Sequence, residues 1–308
     1  MLEIYQKTVS NPIHLEGVGL HSGKTSKITI LPGKEDQGII FKRVDLKKNN
    51  LVVANYENVS SAKLCTTLKN KDGIKVSTVE HLLAALYISE VDNATIEIDN
   101  DEVPIMDGSA KNFLEELKNT KIISLSKKRK YLKILNKIEL RDGKREISIE
   151  PNDSFLEVDF QLNYENAIIG NQRNVINFQL DNLNDVSSSR TFCLYEDIEK
   201  IKKAGLAKGG SLENAIVVDA EKVLNEDGLR NKKEFVNHKI LDLAGDFLLS
   251  GFRILGKVKC YQGGHELTNM FLRKLLDSKS NITSLELEDV EISKKINSIP
   301  PIKLVANA

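Results

Sequence analysis

The sequence runs twice through the same order: short strand-like runs first, then a helix that carries a histidine. In the first half SKITI (26–30) and GIIFKRV (38–44) read as strands. STVEHLLAALYIS (77–89) reads as a helix, with Leu82, Leu83, Leu86 and Tyr87 at helical spacing. Ser77 and Glu80 match a capping box at its start. ATIEIDN follows as a strand, then the turn-rich DNDEVPIMDGSA and a helix over about 109–119 that presents Phe113, Leu114 and Leu117 on one face. In the second half SFLEVDFQL (154–162) alternates Leu156, Val158, Phe160 and Leu162 strictly, as a half-buried strand does. A short helix near 196–204, a strand in AIVVDA (215–220) and a long helix over about 232–250 come next. ILGKVKC reads as a strand and HELTNMFLRKLLD (265–277) as a helix. The order points to two similar α+β domains facing each other, residues 1–125 and 131–308, although identity between the halves is too weak to establish a repeat. SKKRK (126–130) separates them and reads as a solvated linker.

Composition narrows what such a pair can do. The chain has 308 residues, 41% hydrophobic and 29% charged, enough to build a core. Lys plus Arg equals Asp plus Glu, 44 against 44, so no global field draws it to nucleic acid. No stretch approaches the ~20 apolar residues of a membrane span, and MLEIYQKTVS lacks the charged-then-apolar pattern that marks export. Cys65, Cys193 and Cys260 cannot all pair and have no CxxC spacing, which fits reduced thiols in a cytosolic protein.

Only five histidines occur: His14, His21, His81, His238 and His265. In NHKILDLAGDF, His238, Asp242 and Asp246 stand at i, i+4 and i+8 on one helical face, where an imidazole and a carboxylate one turn apart can share a metal ion. The plainer reading is a surface His–Asp pair. Glu80-His81 places a base beside a ligand at a helix start; alternatively Glu80 only caps the helix and His81 is a surface residue. Gly263-Gly264-His265 lets the backbone approach closely before a helix, or His265 is merely that helix's first residue. Two histidines and one carboxylate leave an open coordination position, the catalytic arrangement. The same donors describe the facial triad of non-haem iron oxygenases; the adjacent Glu80 favours hydrolysis. GVGLHSG (17–23) reads as a loop between strands rather than a dinucleotide fingerprint. SSSRTFC (187–193) reads as a loop that can wall a polar pocket. LAKGGSLENAIVV (206–218) is either a buried hairpin or a wall for an apolar ligand.

Taken together, GVGLHSG, LCTTL, STVEHLLAAL, EVPIMDGSA, SSRTF, KGGSLENAIV, HKILDLAGD and GGHELTNMFLRKLL resemble the UDP-3-O-acyl-N-acetylglucosamine deacetylase family, the metal enzymes of lipid A biosynthesis. The matching segments span residues 17–277 in the family's order. The resemblance implies two domains, each a small sheet layered with helices, with the active site between them. It implies zinc, with ferrous iron as the alternative, on His81, His238 and Asp242. It makes Glu80 the general base, His265 the general acid and Asp246 the carboxylate that orients that histidine. Thr191 falls beside the reacting carbonyl and Lys239 near the substrate, while Phe192, Cys65, His21, Gly264 and Gly210 line the site. Ile216 and Val217, with Leu212 and Ala215, are expected along the acyl chain. Cys193 stands where the family has glycine, and Gln262-Gly263 where a small residue and serine are commoner.

The implied partner is a UDP-linked, acylated amino sugar; the implied protein is a cytoplasmic monomer that yields acetate and the free amine. The competing expectations are an iron oxygenase, for which no cosubstrate site is visible, and a sugar-nucleotide-binding protein with a structural metal.

Overall fold

The computed structural model describes residues 2–288, so the end of the second half expected at 308 lies outside the described residues. The first half is built on a five-stranded sheet in the order Ile13–Val18, Thr25–Pro32, Ala94–Ile98, Ile39–Arg43, Leu51–Val53. Its central strand pairs antiparallel with Thr25–Pro32 and parallel with Ile39–Arg43, which sets Ile30, Ile96 and Phe41 in one fully buried row. Two helices belong to this half, α1 (Glu80–Ile88) and α2 (Lys111–Asn119). The alternation read in ATIEIDN appears as buried Ala94, Ile96 and Ile98 between half-buried neighbours.

The second half is a seven-stranded sheet organised around Arg253–Tyr261. That strand pairs parallel with Tyr131–Ile134 and with Leu156–Asn163, and antiparallel with Arg145–Pro151. Leu156, Val158, Phe160 and Leu162 are all buried, as their alternation requires. The remaining helices are α3 (Asn184–Ser187), α4 (Tyr195–Lys203), α5 (Glu234–Leu248) and α6 (His265–Asp277). The molecule is therefore two α+β halves, as the order of runs predicts.

Helix α5 is buried on all sides and packs against α1, α3 and α6, so it forms the seam between the halves. Its contact with α1 is backbone to backbone. A Cβ at Gly245 would stand 2.1 Å from the Glu80 carbonyl oxygen and 3.0 Å from the Ala84 nitrogen. Only glycine lets the two helices come this close.

Three local expectations differ from the structure. The capping box does not form: Thr78 takes a left-handed φ of 56°, Val79 precedes the helix without a side-chain cap, and Ser77 bridges to Glu102 instead. SKKRK is not a loose, solvated segment, because Ile122–Lys128 is a strand paired with Tyr5–Val9. Arg129 is buried there, donating through Nε and Nη2 to Asp92 at 2.9 and 2.8 Å. Finally, residues 206–218 form no hairpin: Ile216–Val218 pairs in parallel with Phe192–Leu194.

Candidate active site

The helical spacing of α5 and the starts of α1 and α6 bring Glu80, His81, His238, Asp242, Asp246 and His265 together in a buried cluster. Asp242 Oδ1 lies 3.5 Å from His81 Nε2 and 3.4 Å from His238 Nε2. Donors on a tetrahedral zinc at about 2.0–2.1 Å stand roughly 3.4 Å from one another, the spacing found here. His238 Nδ1 is bonded to the Ser189 carbonyl at 3.0 Å, which puts its proton on Nδ1 and leaves Nε2 as a lone pair facing Asp242. Burial pushes the His238 ring down to about 3, so it stays a neutral ligand. Asp242 Oδ1 and His81 Nδ1 are buried without a hydrogen-bond partner. A buried carboxylate oxygen facing two imidazole nitrogens is a donor set that fits a divalent cation. Burial opposes the charge of Asp242, yet the Lys239 ammonium and the His265 imidazolium hold it well below the usual carboxylate range.

Glu80 and His265 face this donor set. His265 Nε2 is 3.6 Å from Glu80 Oε1 and 3.8 Å from Asp242 Oδ2, while its Nδ1 bonds Asp246 Oδ2 at 2.8 Å. Burial alone would push the imidazolium down, but the Asp246, Glu80 and Asp242 carboxylates outweigh it and hold His265 up to about 10. Glu80 is raised from the ordinary carboxylate value by burial, against the pull of His265 and His81. The site thus pairs a carboxylate of raised basicity with an imidazolium, an arrangement for moving protons in both directions.

The family model for LpxC, UDP-3-O-acyl N-acetylglycosamine deacetylase, matches residues 6–277. The chain belongs to this family. A UDP-3-O-acyl-N-acetylglucosamine deacetylase of Geotalea uraniireducens is 42% identical over 91% of this chain and 91% of its own length. One from Saccharophagus degradans is 40% identical over 98% of this chain and 100% of its own, and one from Histophilus somni 40% over 94% and 95%.

Beside this cluster lies an apolar cavity of about 350 Å³ whose lining includes Thr191, Phe192, His21, Gly210 and Val217. Leu212 and Ala215 also face it, but Ile216 does not. Successive residues of a strand point to opposite faces, so Val217 meets the cavity while Ile216 is fully buried in the core. Phe192 joins cavity to cluster, its ring 6.2 Å from that of His238 and 5.6 Å from Lys239 Nζ. Lys239 Nζ lies 2.9 Å from Asp242 Oδ2; burial lowers its basicity, but Asp242 more than offsets this and keeps it a cation. Cys65 is buried near Glu80, and burial, then that carboxylate, push its thiol up to about 12, so it is protonated at neutral pH. Gly264 immediately precedes α6, where its carbonyl accepts from the Thr268 N–H at 3.0 Å. Cys193 contributes to the cavity wall, and a Cβ at Gly263 would fall 2.3 Å from Cys260 Sγ, so a larger residue there has no room.

Two contributors lie outside the sequence expectations. Tyr195, Ile198 and Ile201 of α4 line the cavity. Their i, i+3, i+6 spacing is a legible stripe, on a helix none of whose residues is buried. Thr66 stands between Glu80 and Asp246 and had no signal beyond its place in LCTTL.

Proposed function

We propose that this chain hydrolyses the N-acetyl group of UDP-3-O-acyl-N-acetylglucosamine, with zinc on His81, His238 and Asp242, releasing acetate and the free amine. We further propose that it works as a monomer in the cytosol, where its three free cysteines stay reduced. The observation that carries the reading is the convergence of the three donors with an opposed Glu80–His265 pair, beside an apolar cavity sized for part of an acyl chain.

Zinc, when bound, would act as a Lewis acid on the amide carbonyl and make a nearby water more acidic. Glu80 takes the proton that the attacking water loses. To the Thr191 hydroxyl and the Lys239 ammonium we assign the balancing of negative charge that develops on the carbonyl oxygen. His265, protonated and aligned by Asp246 through Nδ1, delivers a proton from Nε2 to the leaving nitrogen, without which an amine departs poorly. One water is consumed, one C–N bond breaks, and acetate and amine account for every atom. The oxygenase reading shares the donor triad, but it gives no work to a carboxylate and an imidazolium 3.6 Å apart.

Acetate release from the acylated UDP-sugar by purified protein, before and after chelation and on re-addition of zinc or ferrous iron, tests this. Turnover lost on chelation and restored by metal is expected. Metal-replete protein that releases no acetate overturns the reading.

A further inference from the structure

Thr66 is 2% exposed and lies between the two carboxylates that manage protons in the site. Its main-chain N–H donates to Glu80 Oε2 at 3.0 Å. Its hydroxyl donates to Asp246 Oδ1 at 2.7 Å, and the other oxygen of that carboxylate bonds His265 Nδ1 at 2.8 Å. A carboxylate is acceptor-only, so the direction of the hydroxyl bond is settled. One residue thus fixes the base directly and the acid through Asp246. Both bonds come from one short segment, immediately before the strand Thr67–Lys69.

Nothing local explains why a hydroxyl is buried here. Thr66 is fourteen residues from Glu80 and 180 from Asp246, so neither bond is a turn or a helix cap. Its β-branched side chain has few rotamers, and the methyl keeps the hydroxyl aimed at Asp246. Without that donor, Asp246 Oδ1 has no other hydrogen bond among the described residues to hold the plane of the carboxylate. A carboxylate free to turn about its Cβ–Cγ bond no longer presents Oδ2 squarely to His265, and the imidazolium loses its aim at the leaving nitrogen.

We propose that Thr66 is a positioning residue of the hydrolysis, holding Glu80 and the Asp246–His265 pair in one frame so that proton removal and proton delivery occur in register. The inference rests on the deacetylase reading above, since it assigns Thr66 to the acid and base of that reaction. Outer-shell groups that orient the ligands of a metal site typically contribute about 10–100-fold, and the same range is expected for Thr66.

The test is steady-state acetate release by four variants, Thr66→Val, Thr66→Ser, Asp246→Asn and the Thr66→Val/Asp246→Asn double, with metal content and melting temperature measured on each. Thr66→Val keeps the shape and removes the hydroxyl; kcat is expected to fall about 10–100-fold with KM and metal content near wild type. Thr66→Ser restores the donor and should recover most of that loss. In an Asp246→Asn background the Thr66→Val change should cost little more, because residues that act as a unit are not additive. Should the valine variant not fold, Thr66→Ala, which leaves room instead of placing a methyl against the carboxylate, carries the same expectations. Wild-type kcat without the hydroxyl, a loss that serine does not recover, or a full additive loss in the Asp246→Asn background each overturns the proposal. A wild-type protein that releases no acetate defeats the deacetylase reading first, so the two failures are distinguishable.

Discussion

Two buried polar clusters lie at the seam between the halves, and they differ in how their atoms are satisfied. In one, Asp92 accepts from Arg129 through one oxygen and from Arg253 through the other at 3.0 Å. Arg253 Nη1 and Nη2 donate to the carbonyls of Tyr87 and Val91, and its guanidinium lies 4.5 Å from the Tyr87 ring centre. No buried polar atom of this clamp lacks a partner among the described residues. In the other cluster His81 Nδ1 and Asp242 Oδ1 are left without one, and three carboxylates crowd a single imidazolium. The clamp is closed chemistry that holds the halves; the site leaves polar atoms unpaired among the described residues, as a functional cluster does.

That contrast is sharpest at Glu80. Glu80→Gln should keep the metal and the fold while lowering kcat about 10²–10⁴-fold, the range for a lost acid–base group. Activity within a few-fold of wild type would move the base elsewhere. The clamp should show the reverse. Asp92→Ala strands two buried guanidiniums and is expected to cost about 3 kcal/mol, the low end for a broken buried pair. Glu90, whose carboxylate stays 3.6 Å from Arg129, limits the loss. Activity per folded molecule should hardly change, and chemical denaturation alongside acetate release separates the two effects.

The cavity gives a smaller handle. Removing the acyl chain from the substrate should lower kcat/KM on the wild type, because each buried methylene contributes ~0.8 kcal/mol before ordering costs are subtracted. Val217→Asp should shrink that preference with metal content intact. Equal turnover of acylated and unacylated substrate by the wild type would remove the cavity from the reaction.

The smallest expected change is in pH dependence. In the proposed reaction His265 acts as an acid only while protonated, so kcat/KM should fall as pH rises through its pKa, held up to about 10 here. Asp246→Asn removes a negative charge that favours the imidazolium and should move the basic limb down by about 1–3 units. A pH–rate profile with an unmoved basic limb would take the acid role from His265.

What was legible in the sequence follows the same division. Periodic segments declared themselves: HELTNMFLRKLLD is a helix over His265–Asp277, and the alternation in 154–162 is a buried strand face. The i, i+4, i+8 spacing of His238, Asp242 and Asp246 needed only the helix to bring them into line. Residues whose partners lie far along the chain were not legible. Arg129 belongs to a charge run that reads as solvent-exposed, yet an aspartate 37 residues earlier buries it. Thr66 has the same difficulty, with its partners fourteen and 180 residues later in the chain. Glu80 was ambiguous because a glutamate three residues after a serine is what a helix cap looks like; the left-handed turn at Thr78 decides against it. Ile216 is a narrower miss, since the two-residue period of a strand already places it opposite Val217.

The gap at Gly245 works as a tolerance. A single methyl there would meet the Glu80 carbonyl at 2.1 Å, and the start of α1 would have to recede by more than roughly 1 Å to reach ordinary contact. Metal–ligand distances tolerate only about 0.2 Å. In the proposed centre one ligand rides on α1 and two on α5, so its calibration would be set by a contact in which no reactive atom takes part. Gly245→Ala would be a chemically silent substitution that detunes the site from outside it, loosening the cation first and the substrate only in consequence.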